Sequence, residues 1–179
     1  MSDPVKNRKP ILLLGVGNIL QSDDGVGVYV VEKMRAELRD HDVEIVDGGT
    51  AGLDLLYLIE NRRTVVVVDA VDGGFVPGTV YRFTPDDIES RSLRLYSLHQ
   101  LGLLETLQMA HLAGTGPQRT IIVGVQPEVV EWGTRLSATV AGKLRGIIGR
   151  TRGRWVEIQQ DGAKTHRRGG GDCQSRRNR

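Results

Sequence analysis

Three residues from separate parts of the chain, Asp24, Asp69 and His99, have side chains that commonly bind divalent metal ions. The two carboxylates offer hard oxygen ligands, and the imidazole offers a borderline nitrogen. Such a set suits Ni²⁺ or Zn²⁺ and leaves positions open for water or substrate. Asp69 ends a strongly apolar run, so a rigid strand would hold it in place. The three residues therefore predict a metal site.

Each of these residues also has a structural interpretation. Asp24 could cap a helix that begins at Gly25, and Asp23 competes with it for either role. Asp69 could simply accept hydrogen bonds from nearby loop amides, and His99 could be the neighbour of a helix N-cap or an exposed loop residue. Spacing alone leaves all of these interpretations open.

The apolar pattern predicts the elements that would position the three residues. Strands are predicted at the segments PILLLG, VEIVD, TVVVVDA, TVYRF and RTIIVGV. Helices are predicted at 25–39, near 53–59, at 100–112 and from Ser137 onward, and RWVEIQ could add a short terminal strand. This alternation predicts an α/β fold, a three-layer α/β/α architecture with a central, mostly parallel twisted sheet of about five strands.

Ligands of an open α/β sheet bind outside the carboxyl ends of its strands. The segments that follow the predicted strands are rich in carboxylates and small residues, and they include SDDG, DGGTAG, AVD and GVQPE, with SLHQLG on a further loop. Asp24, Asp69 and His99 are therefore expected on one edge. Asp47, Gly48, Gly49 and Thr50 lie on the same predicted edge, where they could line a groove or simply form a tight turn with a helix cap.

Other chemistries find little support in the motifs. The GVGN turn lacks the third glycine of a dinucleotide-binding fingerprint, because Leu20 stands in its place. The chain has no P-loop, no H-E-x-x-H and no G-x-S-x-G. The one cysteine, Cys173, has no organised base nearby in sequence.

Length and charge predict how the chain is divided. Its 179 residues fit a flexible N-terminus at 1–9, a single α/β domain at 10–160 and a disordered basic tail at 161–179. The tail carries six basic and two acidic residues, a net charge of +4, so the remainder of a chain whose total is +2 carries −2. A slightly acidic body does not predict the basic surface that would bind the phosphates of a nucleic acid.

A cytoplasmic protein without membrane partners is expected. A single cysteine excludes an intrachain disulfide and suits a reducing compartment. The first ten residues are polar, and the apolar runs are too short for a signal peptide or a membrane span.

Six sequence blocks together resemble a known family. GVGNILQSDDGVG, VDGGTAGLDLL, VVVVDA, VPGTV, SLHQLGLLETL and IIVGVQPE are similar, in this order, to blocks of the NiFe-hydrogenase maturation endopeptidases, the hydrogenase maturation protease family. The resemblance runs from about Ile11 to Leu144. The combination is specific, although GVGN or VDA alone would mean little.

The resemblance implies a site and a substrate. The family's metal-binding positions fall on Asp24, Asp69 and His99, and its pattern of an acidic pair selects Asp24 over Asp23. The implied substrate is the nickel-loaded precursor of the hydrogenase large subunit, from which an aspartic-type endopeptidase removes a short C-terminal extension. The nickel is expected to come with the precursor, and other divalent metals could substitute.

Two alternatives stay open. The chain could be a non-cleaving, nickel-dependent binding or scaffold module for the same precursor. It could also be a nucleotide-dependent enzyme that uses the GVGN turn.

Overall fold

Five strands form the framework of the protein. β1 (Ile11–Val16), β2 (Val43–Gly49), β3 (Thr64–Ala70), β4 (Val80–Phe83) and β5 (Arg119–Val125) make one sheet in the order β2-β1-β3-β5-β4. All pairs are parallel except β4 with β5, which is antiparallel. The computed structural model describes residues 8–38, 42–50, 52–89 and 100–166, and of 100, 101 and 154–166 it describes only the backbone.

In the described part of the chain, five helices connect and cover the strands. They are α1 (Val26–Glu37), α2 (Leu55–Ile59), α3 (Pro85–Glu89), α4 (Gln100–Leu112) and α5 (Ala138–His166). A short 3₁₀ turn, Ser22–Gly25, precedes α1. Among the described residues, no helix is both long and apolar enough to span a membrane.

The buried strand residues point alternately to two apolar clusters, because side chains alternate across a strand. One cluster joins Leu13 and Val66 of the sheet to α1 and α5. The other joins Leu12 and Val67 to α2 and α4. Burial of both faces explains why β3 is apolar without alternation. The arrangement confirms the predicted three-layer α/β/α fold with a mostly parallel sheet of five strands.

The structure confirms the predicted positions of individual strands. β3 and β5 occupy the predicted segments 64–70 and 119–125, and β4 is the edge strand that its alternating sequence indicated. The helix at 100–112 is also confirmed.

The C-terminal prediction was wrong. RWVEIQ does not form a strand, because α5 continues through it to His166. The segment lacks a proline or turn that would end the helix, and Arg, Glu and Gln all favour helix. Residues 161–166, assigned from sequence to the tail, are thus helical; 167–179 lie outside the described residues, and their disorder stays a prediction.

The N-terminal residues that the structure describes are held against the body. The Arg8 guanidinium lies 4.0 Å from the centre of the Tyr57 ring. The buried Arg62 side chain donates to the Lys9 carbonyl oxygen over 2.6 Å. The predicted flexible segment 1–9 therefore has two ordered residues at its end.

Candidate active site

Asp69 lies at the carboxyl edge of the sheet, in its central strand. It is the next-to-last residue of β3 and pairs with Gly124 of β5. Its side chain is 1% exposed. Because alternate residues of β3 face the same side, Asp69 lies on the face that α2 and α4 cover, together with Val65 and Val67. The predicted strand-end carboxylate is thus buried at the predicted edge.

Asp24 reaches the same edge through the 3₁₀ turn. This turn packs against β3, and the Asp24 side chain is 2% exposed. Its Oδ2 accepts a hydrogen bond of 2.7 Å from the Asn18 backbone N–H. The structure therefore brings Asp24 and Asp69 to one edge, as expected.

Close backbone contacts hold the Asp24 turn against the strand ends. Gly17 has a φ of +135°, and a Cβ there would lie 1.9 Å from the Asp24 carbonyl oxygen. A Cβ at Gly27 would lie 2.2 Å from the Val68 carbonyl oxygen. The glycines of this region allow backbone segments of the chain to pack closely against each other. The turn therefore fills the space beside Gly17 that a bound pyrophosphate would need. This argues against the nucleotide interpretation of GVGN.

Asp23 contacts different parts of the structure from those that Asp24 contacts. Its Oδ2 accepts from the backbone N–H groups of Glu128 and Val129 at 2.9 and 3.1 Å, and its Oδ1 accepts from that of Ser137 at 2.7 Å. The carboxylate therefore joins the Asp24 turn to the loop after β5 and to the start of α5. These contacts are structural.

The prediction that Asp23 or Asp24 caps α1 was wrong. The residue before α1 is Gly25, and no side chain caps the helix. The 3₁₀ turn enters the helix directly, and both carboxylates bond to amides elsewhere. One structural interpretation of Asp24 is thereby removed.

α4 starts at the same edge. Gly102 in its first turn lies close to Gly52, which follows β2, and Thr106 donates to the Gly52 carbonyl oxygen over 3.2 Å. The helix then runs toward the opposite edge, where β5 begins. His99 precedes Gln100 in the chain and lies outside the described residues.

Tyr81 lies beside Asp69 across a glycine. Both residues pair with Gly124, one from each side, and a Cβ on Gly124 would come within 2.8 Å of the Tyr81 ring. Burial raises the pKa of the Tyr81 phenol, and the negative charges of Asp72 and Asp69 raise it further. The hydroxyl therefore stays protonated and donates to the Val71 carbonyl oxygen.

The buried Gln126 side chain organises the loop after β3. Its Oε1 accepts from the N–H groups of Gly73 and Phe75 at 2.9 and 3.1 Å, and its Nε2 donates to Asp72 Oδ1 at 2.9 Å. This amide, with a second hydrogen bond from the Gly74 N–H, holds the pKa of Asp72 below its ordinary value. Sequence analysis missed Gln126 and Tyr81; a polar residue directly after a buried strand was the available signal for Gln126.

The contacts of Asp47 support the tight turn expected at 47–49, whereas the helix cap expected at Thr50 was wrong, because α2 begins at Leu55 after Asp54 and no side chain caps it. Its Oδ1 accepts from the Gly49 N–H at 2.9 Å, and the Gly49 carbonyl oxygen accepts from the Gly17 N–H at 2.8 Å. The residues form a tight turn that also braces the GVGN segment.

The site thus contains two buried carboxylates at the carboxyl edge of the sheet. Within the described ranges, no group of three His, Cys, Asp or Glu side chains could hold a metal ion. Carboxylate oxygens are common ligands of divalent cations, so the types of these two side chains are compatible with such an ion. A third ligand would have to come from outside the described residues, and His99 is the sequence candidate.

A model of the family described as hydrogenase maturation protease matches residues 28–151. That range includes Asp69 and His99 but starts after Asp24. The chain is 38% identical to the hydrogenase expression/formation protein HupD of Rhodobacter capsulatus over 144 residues, which covers 79% of this chain and 69% of that protein.

Two relatives from Escherichia coli give the same result. The hydrogenase 2 maturation protease is 41% identical over 141 residues, 77% of this chain and 85% of that protein. The solved structure of the hydrogenase maturating endopeptidase HybD superposes with a TM-score of 0.72 at 33% identity, covering 83% of this chain and 93% of that one. These matches place the chain in the hydrogenase maturation protease family, as an endopeptidase that acts in the maturation of hydrogenases.

Proposed function

We propose that the chain removes a C-terminal extension from the nickel-loaded precursor of a NiFe-hydrogenase large subunit, with Asp24, Asp69 and His99 contacting the nickel of the substrate. The observation that carries this proposal is the burial of Asp24 and Asp69 at one edge of the sheet. These two carboxylates suit a divalent cation brought to them from outside.

The position of α4 supports His99 as the third contact. α4 begins at the site edge and covers the face on which Asp69 lies. Gln100, which directly follows His99 in the chain, therefore lies at this edge. Two oxygens and one nitrogen leave positions on the ion for its ligands in the precursor.

Cleavage then depends on nickel insertion. The ion in the precursor completes the site, so docking and metal recognition become one event. Water attacks the neighbouring peptide bond after losing a proton, either because the ion polarises it or because one carboxylate acts as general base. No nucleotide, nucleic acid or organic cofactor takes part, and the cytoplasm, where precursors would be met, is the proposed compartment.

The test compares nickel-loaded with nickel-free precursor. Mass spectrometry should detect release of the C-terminal peptide only from the nickel-loaded form. Asp69→Asn and His99→Ala should each lower the rate by at least about 100-fold, the scale of losing a general base or a metal contact. Cleavage of nickel-free precursor at the same rate would refute metal recognition, and binding without cleavage would favour the scaffold alternative.

A further inference from the structure

Four exposed apolar side chains lie on two neighbouring segments beside the candidate site. Trp132 is 81% exposed, Ile19 and Leu20 are each 48% exposed, and Val130 is 46% exposed. These four residues are called the Trp132 surface below. An exposed tryptophan among aliphatic residues is typical of a protein-binding surface, where tryptophan often contributes a large share of the affinity.

The two segments of the Trp132 surface are bonded to each other. The Gly133 N–H donates to the Leu20 carbonyl oxygen, and the Ser22 N–H donates to the Gly133 carbonyl oxygen, each over 2.9 Å. The Ser22 hydroxyl donates to the Glu131 carbonyl oxygen over 3.1 Å. Both neighbours of Trp132 are thus tied to Ser22.

Asp23 fixes the same loop a second time through Glu128, Val129 and Ser137. The loop is therefore held in position before any partner arrives. A surface that is ordered in advance loses little conformational entropy on binding. This distinguishes the Trp132 surface from an apolar side chain on a mobile loop.

The Trp132 surface is continuous with the candidate site. Ser22 is the first residue of the 3₁₀ turn that contains Asp24. The residue that bonds to both neighbours of Trp132 therefore lies two positions before a proposed nickel contact. A molecule that brings nickel to Asp24 must approach along this edge. A free C-terminal peptide lacks the nickel, whereas the folded body of the precursor holds it.

We infer that the Trp132 surface docks the folded body of the nickel-loaded large-subunit precursor, through an apolar patch of that body, and so sets affinity separately from cleavage. The inference rests on the proposed function for the identity of its partner. Trp132 then acts in binding, whereas Asp24 and Asp69 act on the nickel.

The experiment compares Trp132→Ala with the unchanged chain on nickel-loaded precursor, by steady-state cleavage and by direct binding. Trp132→Ala should raise KM and the dissociation constant at least tenfold and change kcat less than twofold, as expected for a central aromatic contact. Trp132→Phe should recover part of the affinity. Because the side chain is exposed, the melting temperature should stay the same.

Leu112→Ala is the matched control. Leu112 is 89% exposed at the end of α4, which leads toward the opposite edge of the sheet. Its removal takes away exposed apolar surface of a similar kind, and it should leave both KM and binding unchanged.

The outcomes separate the two proposals. If the unchanged chain cleaves normally and Trp132→Ala keeps its KM, or loses kcat alone, the docking inference is wrong and the proposed function stands. If the unchanged chain binds without cleaving and Trp132→Ala weakens that binding, docking stands and the proposed function fails. If the unchanged chain does not bind the precursor at all, both are overturned.

Discussion

At the scale of single residues, the two neighbouring aspartates show how position decides role. Both side chains are buried, and they have the same chemistry. Asp23 points to three amides of a distant loop, whereas Asp24 bonds to Asn18 within its own loop at the edge where Asp69 ends β3. The first joins distant segments of the fold, and the second lies at the edge of the proposed site.

An asparagine substitution should therefore mainly lower stability at Asp23 and mainly lower the cleavage rate at Asp24. Asp23→Asn loses charge-assisted hydrogen bonds and places an amide donor against backbone donors, which should cost about 2–3 kcal/mol of stability. Asp24→Asn changes one backbone hydrogen bond, that from the Asn18 N–H, where Asp23→Asn changes three, so it should lower the melting temperature less; it should lower the cleavage rate at least about 100-fold. Thermal denaturation and cleavage of nickel-loaded precursor measure the two effects. An equal loss of activity in folded Asp23→Asn would show that the wrong carboxylate has been assigned.

At the scale of elements, contact between α1 and the strand ends positions the site. α1 crosses β1 and β3 so closely that Gly27 leaves no room for a side chain, since a Cβ would lie 2.3 Å from the Val16 carbonyl oxygen and 2.2 Å from that of Val68. The helix can therefore begin directly beside Asp69, with Asp24 in the turn before it. A larger residue would push the turn outward.

Gly27→Ala should destabilise the fold by about 2–3 kcal/mol, because backbone atoms cannot move away as a flexible side chain could. The rate of precursor cleavage by the folded fraction should also fall. Gly142→Ala is the control, since a Cβ at this exposed position in α5 meets nothing within 4 Å. There alanine should stabilise the helix by about 0.5–1 kcal/mol. Chemical denaturation compares the two, and equal stability of both variants would contradict the close-contact argument.

At the scale of the whole molecule, the apolar core of the described residues extends into the first part of α5. α5 contributes Val140 and Ile147 to the apolar cluster that it shares with α1, and Thr151 is 1% exposed. Beyond these residues the chain becomes rich in Gly and Arg. We expect a segment of such composition to add little apolar burial.

Removing residues 167–179 should leave the free energy of unfolding within about 0.5 kcal/mol and the cleavage rate unchanged. A chain that stops at Gly146 should be destabilised by more than about 2 kcal/mol, because it loses Ile147 from the core. Denaturation and cleavage assays on both truncations test this. If the variant that lacks only residues 167–179 keeps its stability but loses activity, the tail has a role in substrate binding.

Much of the fold could be predicted from local patterns. β3 and β5 are short, mostly apolar runs of the kind found in strands covered on both faces, and the buried Leu103, Leu107 and Ala110 of α4 recur at helical spacing. The end of α5 could not be predicted in this way. RWVEIQ contains both helix-forming and β-branched residues, so its local preference is weak and continuation of the preceding helix decides its structure.

The sequence by itself determined that two aspartates follow strands at one edge of a parallel sheet, because strand periodicity and the rule of carboxyl ends are local and general. Only the tertiary structure showed that Asp23 bonds to distant amides whereas Asp24 bonds to Asn18 within its own loop, since spacing cannot tell adjacent identical residues apart. It likewise showed that Gln126 holds the loop after β3 and that Trp132 is tied to the Asp24 turn. These contacts join residues more than 50 positions apart, and no spacing along the chain encodes them.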